Sequence, residues 1–83
     1  RLRPRFALAA HAVLLKGDAM MKRNEHQKAA QFYRRAVTLY GRMEEYAVPA
    51  YRGLIAAYTK LGLTEDAQQA QEQFAQRYPK AVQ

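Results

Sequence analysis

The sequence predicts an all-α protein of four helices arranged as antiparallel helix-turn-helix pairs, and three observations carry that prediction. Ala, Leu, Gln, Glu, Lys and Arg dominate while β-branched residues are few and scattered, so intrinsic propensity favours helix nearly throughout. Apolar residues recur at three- and four-residue steps, the spacing that collects them along one side of a helix, and no alternating strand pattern competes. Asn24, Gly41, Pro49, Gly62 and Pro79 punctuate this pattern with residue types that open turns or stop helices.

The elements follow in order. Pro4 suits a first helical turn, where no N–H is needed, and Phe6, Leu8, Ala9, Ala12, Val13, Leu15, Ala19 and Met20 form the apolar series of the first helix. Asn24 reads as the N-cap of the second helix, with Glu25 in its first turn against the positive end of the helix dipole. Ala29, Phe32, Tyr33, Ala36, Val37 and Tyr40 supply its apolar face, and Gly41 closes it. The third helix carries Tyr51, Leu54, Ile55, Tyr58 and Leu61; its start is placed between Tyr46 and Pro49, because Pro49 would break a helix already under way from Glu44. Gly62 fits a left-handed cap after it. Thr64 reads as the N-cap of the fourth helix, with Glu65 and Asp66 in the first turn, Ala67, Ala70 and Phe74 inward, and Pro79 past the end.

With 83 residues and no cysteine, the chain is one small domain held by packing, without disulfides or a thiolate metal site. A core of this size gives a thin margin of stability, and the opening Arg-Leu-Arg-Pro-Arg carries neither a methionine nor a charged-then-apolar leader, so a fragment of a longer chain is expected. The longest apolar stretch, Phe6 to Leu15, is interrupted by His11 and falls short of the ~20 residues needed to cross a bilayer. No transmembrane segment is expected. Charge is uneven: residues 1–42 hold ten Lys/Arg against Asp18 and Glu25, whereas Arg52, Lys60, Arg77 and Lys80 face Glu44, Glu45, Glu65, Asp66 and Glu72 in the remainder. An excess confined to one half points to an acidic partner surface, a phosphate-bearing polymer or a membrane face near the first helices.

Residues 10–41 align on residues 48–79 with a shift of 38, Ala29 falling on Ala67 and Met20 on Tyr58. Gly17, Met20, Ala29, Tyr33 and Ala36 in the first unit, and Leu54, Tyr58, Gly62, Ala67 and Pro79 in the second, occupy the small, aromatic, turn, alanine and proline places of a known motif. In this the chain resembles the tetratricopeptide-repeat family. The small residues let antiparallel helices approach closely, while Tyr33 and Tyr58 fill the gaps between them. Departures from the motif are Met20 for the usual aromatic, Asn24 for the turn glycine, Ile55 for the small residue, Gln71 for the second aromatic and Phe74 for the second alanine. The shift of 38 also exceeds the family's usual ~34, which lengthens the link by about one helical turn within Thr38 to Pro49.

The resemblance implies two hairpins stacked as an α-α superhelix in one domain over residues 1–83, whose first helices line a concave groove that holds a partner's peptide or helix. By position, the groove residues would be His11, Leu14, Asp18, Met21 and Lys22, then Arg52, Ala56, Thr59 and Lys60. Leu14 and Met21 would supply apolar contact, and Lys22, Arg52 and Lys60 would pair carboxylates of an acidic protein partner. The places where chaperone-binding members clamp a terminal carboxylate with Lys and Asn hold Leu14 and Asp18, so a clamp of that kind is not expected. Two repeats leave the last helix without a neighbour, and Phe74, Tyr78 and Val82 are expected to stand exposed there as a self-association face.

No catalytic set is legible. His11 and His26 sit apart without a carboxylate at ligand spacing, the acidic pairs at helix starts answer to the helix dipole, and the chain has no serine. A non-enzymatic module without cofactor or metal is expected, acting as a protein-binding scaffold in complex assembly. The alternative is a basic helical domain that binds a polyanion, either nucleic acid or an anionic membrane surface, through its N-terminal half with Arg1, Arg3, Arg5, Lys16, Lys22, Arg23, Lys28, Arg34 and Arg35. These spread around two helices without an aromatic stacking platform, which disfavours nucleic acid.

Overall fold

A computed structural model describes residues 4–82, and these form four long helices and one short one. They are α1 (Pro4–Lys22), α2 (His26–Leu39), α3 (Glu44–Lys60), α4 (Thr64–Arg77) and the single-turn α5 (Pro79–Val82). Short turns oblige consecutive helices to fold back on one another. Accordingly α1 packs on α2, α2 on α3, α3 on α4, and α1 also meets α3. No strand occurs among the described residues.

The α1–α2 and α3–α4 turns are built alike. In the first, Asn24 N–H donates to Met21 O and Glu25 N–H to Met20 O; in the second, Gly62 N–H donates to Thr59 O and Leu63 N–H to Tyr58 O. Both are Schellman closures, which require a left-handed residue after the helix. Asn24 (φ 60°) and Gly62 (φ 75°) supply it, 38 residues apart. Asn24 is therefore not the N-cap of α2: asparagine tolerates the left-handed region, and Glu25 holds the cap position. Likewise Thr64 opens α4 as its first helical residue after the cap Leu63, and Tyr40 rather than Gly41 terminates α2.

A larger correction concerns α3, which starts at Glu44 with Pro49 inside it. A proline there removes the bond to Glu45 O at a cost of about 3 kcal/mol in a helix interior. Glu45 is exposed, and the same segment buries Ala47, Ala50 and Tyr51, so packing and the acidic first turn outweigh the break. The extra turn of the long link thus lies inside α3. Pro79 opens α5 instead of only following α4.

Nine of the fifteen buried apolar residues described are alanines, so the helices approach closely and a few large side chains carry most of the burial. Tyr33 of α2, 2% exposed, lies between Gly17 of α1 and Gly53 of α3. A Cβ at Gly17 would come within 2.7 Å of the ring, and one at Gly53 within 2.4 Å. Tyr51 and Phe74 stack with centroids 5.3 Å apart and fasten α4 to α3. The end of α4 is tied back to the last turn of α2 and the connection after it, since Arg77 donates to Val37 O at 3.4 Å and the Tyr78 hydroxyl donates to Gly41 O.

Gly53→Ala tests the close approach. The methyl group improves helix propensity by about 1 kcal/mol, but the Tyr33 ring is enclosed and cannot retreat, and overpacking costs about 1–3 kcal/mol. A net loss of about 1–2 kcal/mol is expected in urea unfolding. A gain in stability would show that the ring has room to move.

Candidate functional site

The nine residues expected to line a groove divide between α1 and α3 and do not converge on one cavity. On α1, Asp18, Met21 and Lys22 come together with Leu15, Ala19 and Tyr33 around an open hollow of about 490 Å³, whose lining includes no α3 residue. Leu14 is only 8% exposed and belongs to the core, which corrects its assignment to the groove. The α1 turn carrying it faces α2 and α3, so its side chain is consumed by packing. Met21 is half-buried against the same core. His11 is exposed and meets Tyr46 edge-on at 5.9 Å, marking the seam between α1 and α3.

On α3, Arg52, Ala56, Thr59 and Lys60 are all exposed, at helical steps that place them along one side. Two are already engaged within the chain. Arg52 donates from Nη2 to Ala81 O at 3.0 Å, and its guanidinium lies 5.9 Å from the centroid of the Phe74 ring. Thr59 donates to Ile55 O of its own helix at 2.8 Å.

The hollow on α1 has a fixed polar wall. The Tyr33 hydroxyl reaches past Gly17 and donates to Asp18 Oδ1 at 2.5 Å. Burial, followed by the hydrogen bond and the charge of Asp18, pushes the Tyr33 phenol well above its ordinary value. It stays a neutral donor throughout the physiological range, and Asp18 accepts from it. Sequence reasoning places Tyr33 in the packing between helices but not in this pair. The available signal was Gly17 and Gly53 inside otherwise good helices, where each costs helix stability of about 1 kcal/mol unless a neighbouring side chain needs the space.

The expectation of an exposed aromatic face at the last helix is corrected. Phe74 is 5% exposed beneath Tyr51, and Tyr78 is half-buried with its hydroxyl bonded to Gly41; Val82, at 47%, is exposed. Ala81 of α5 packs against the core together with Tyr78, so of the three residues Val82 alone stands exposed. Burial raises the Tyr78 phenol, with a further push from Glu44.

Several basic residues have local partners: Arg23 and Lys28 pair with Glu25 at 3.0 and 3.2 Å, Arg34 donates to the Tyr58 hydroxyl at 2.9 Å, and Lys16 lies 5.9 Å from the Phe32 centroid. Arg1 and Arg3 lie outside the described residues. Among the described residues no cluster of three or more His, Cys, Asp or Glu is placed to hold a metal ion, and no helix is long and apolar enough to cross a membrane. Compared with known proteins, the chain matches no family model, no curated protein and no solved structure.

Proposed function

We propose that the chain is a protein-binding module of the tetratricopeptide type, which holds an acidic peptide or helix of a partner and serves as a scaffold in complex assembly. The observation that carries this reading is the repetition of one hairpin design, with matching Schellman closures at Asn24 and Gly62 and a 38-residue period. Stacking of such units sets the first helix of each hairpin side by side, as α1 and α3 are. Lys22, Arg52 and Lys60 stand exposed on those two helices and would meet the partner's carboxylates. Arg52 would exchange Ala81 O for a carboxylate, a stronger acceptor for a guanidinium. On this reading the module binds and does not catalyse.

Affinity capture from native lysate tests the proposal, comparing the parent with a Lys22→Glu, Arg52→Glu, Lys60→Glu variant. The parent should retain a specific protein, and the charge reversals should lower its recovery about tenfold or more. Recovery of no specific protein, or equal recovery by both, removes the proposal.

A further inference from the structure

We propose that the outward face of α1 is a second binding surface, which adjoins the expected groove at the hollow shared by Leu15, Ala19 and Lys22, and that its occupant is an acidic amphipathic helix. Leu8, Ala12, Leu15 and Ala19 succeed one another at steps of four, three and four, and therefore form a single stripe. All four are exposed, Leu8 at 71% and Leu15 at 50%. The sequence groups them in the apolar series of the first helix, yet among the described residues of α1 it is Ala10, Leu14 and Gly17 that are buried.

The repeat explains what the stripe is for. Advanced by 38 residues, its positions become Tyr46, Ala50, Gly53 and Ala57 of α3. Ala50 and Ala57 are fully buried, Tyr46 is half-buried, and Gly53 lies under the ring of Tyr33 from α2. This is the face with which α3 seats itself on the preceding hairpin. The α1 stripe is thus in the register where the same chain already places a helix, one unit earlier.

The stripe also states which helix would fit. Leu15 stands where α3 has Gly53, so the occupant presents a small residue there instead of an aromatic ring. Arg5 and Lys16 flank the stripe on one side and Lys22 continues it, and none of the three forms an ion pair with a described residue. The acid on this helix, Asp18, accepts from Tyr33. Carboxylates on the occupant complement such a rim.

Neither end of another copy provides that chemistry. On α4, the positions equivalent to Ala30, Tyr33 and Arg34 are Gln68, Gln71 and Glu72, all exposed, which makes the far end polar where an apolar helix face would be needed. Two α1 stripes paired antiparallel would interdigitate Leu8 with Ala19 and Ala12 with Leu15, but they would set Arg5 against Lys22 at both ends. A parallel pairing would oppose each cation to itself.

The test uses a fluorescent, hydrocarbon-stapled helix with Ala and Leu along one stripe and Glu on both flanks, and a counterpart with Lys at each Glu place. Fluorescence anisotropy should show the acidic helix binding the chain about tenfold or more tighter than the basic one, with a gap that narrows as salt rises. Leu15→Ser should lose about tenfold in affinity, while Leu63→Ser, at an exposed leucine on the α3–α4 turn, should bind like the parent. Circular dichroism melts of both variants confirm that the fold is kept. Absence of binding by the acidic helix, equal binding of the two helices, or an unchanged Leu15→Ser overturns the proposal. So does a dimer in light scattering that Leu15→Ser dissociates, because the occupant is then a second copy.

Discussion

Tyr33→Ala is expected to remove about 3–5 kcal/mol of stability, a large fraction of what a domain of this size has. The ring is 2% exposed and touches α1 at Gly17 and α3 at Gly53 while its backbone belongs to α2, so three helices lose their common filler at once. Two backbone-lined slots would remain, and no neighbouring side chain can collapse into them without moving a helix. Urea unfolding followed by circular dichroism should show a lower midpoint with an unchanged slope. A loss below about 1 kcal/mol would mean that the helices close over the gap and that the ring does not set their spacing.

Tyr33→Phe separates the ring from its hydroxyl. The ring still fills the space, and the missing bond to Asp18 is expected to cost about 1–2 kcal/mol. It should also change the alkaline limb of stability. The Tyr33 phenol is raised in the folded state from an ordinary value of 10.0, so from about pH 10 upward the unfolded chain releases a proton that the folded chain keeps. Stability held by this group is therefore complete below pH 10 and is lost as pH rises through the folded value. Tyr33→Phe should melt less stably than the parent at neutral pH and decline less steeply above pH 10. Parallel declines would assign the alkaline loss to other groups.

Phe74→Ala should cost a similar amount, about 3–5 kcal/mol. Its ring is 5% exposed, stacked on Tyr51 and crossed by the Arg52 guanidinium, and it is the largest side chain joining α4 to α3. The expected signature is a lower melting temperature with loss of α4 and α5 helicity, not a change in oligomeric state. Val82→Ser, at an exposed site on α5, should stay within about 0.5 kcal/mol of the parent. Should Phe74→Ala alter molar mass while leaving the melt intact, the ring would belong to an interface and not to the core.

The helical class and the positions of the α1–α2 and α3–α4 turns were legible in the sequence because each depends on neighbours in the chain. Apolar steps of three and four, Gly62 after Leu61 and the 38-residue shift all act within a few residues or compare like with like. Where two local signals competed, the boundary moved: Asn24 serves the left-handed closure instead of a cap, and Pro49 is carried inside α3. The second case shows tertiary burial of Ala47, Ala50 and Tyr51 overriding a local breaker.

What only the tertiary structure decided is which surface of each helix faces protein. Apolar residues surround much of α1, so periodicity alone could not say that Leu14 turns inward while Leu8 and Leu15 stay in water. Phe74 and Tyr78 read as an exposed end, but Phe74 stacks on Tyr51 and the Tyr78 hydroxyl bonds to Gly41 O. The contact of Tyr33 with Gly53 and its bond to Asp18 join residues 20 and 15 positions apart on three different helices. Helix formation is a local balance of backbone bonds and propensity, and the sequence states it directly. Burial is a property of pairs brought together by packing, and it exists only once α1, α2 and α3 have taken their places.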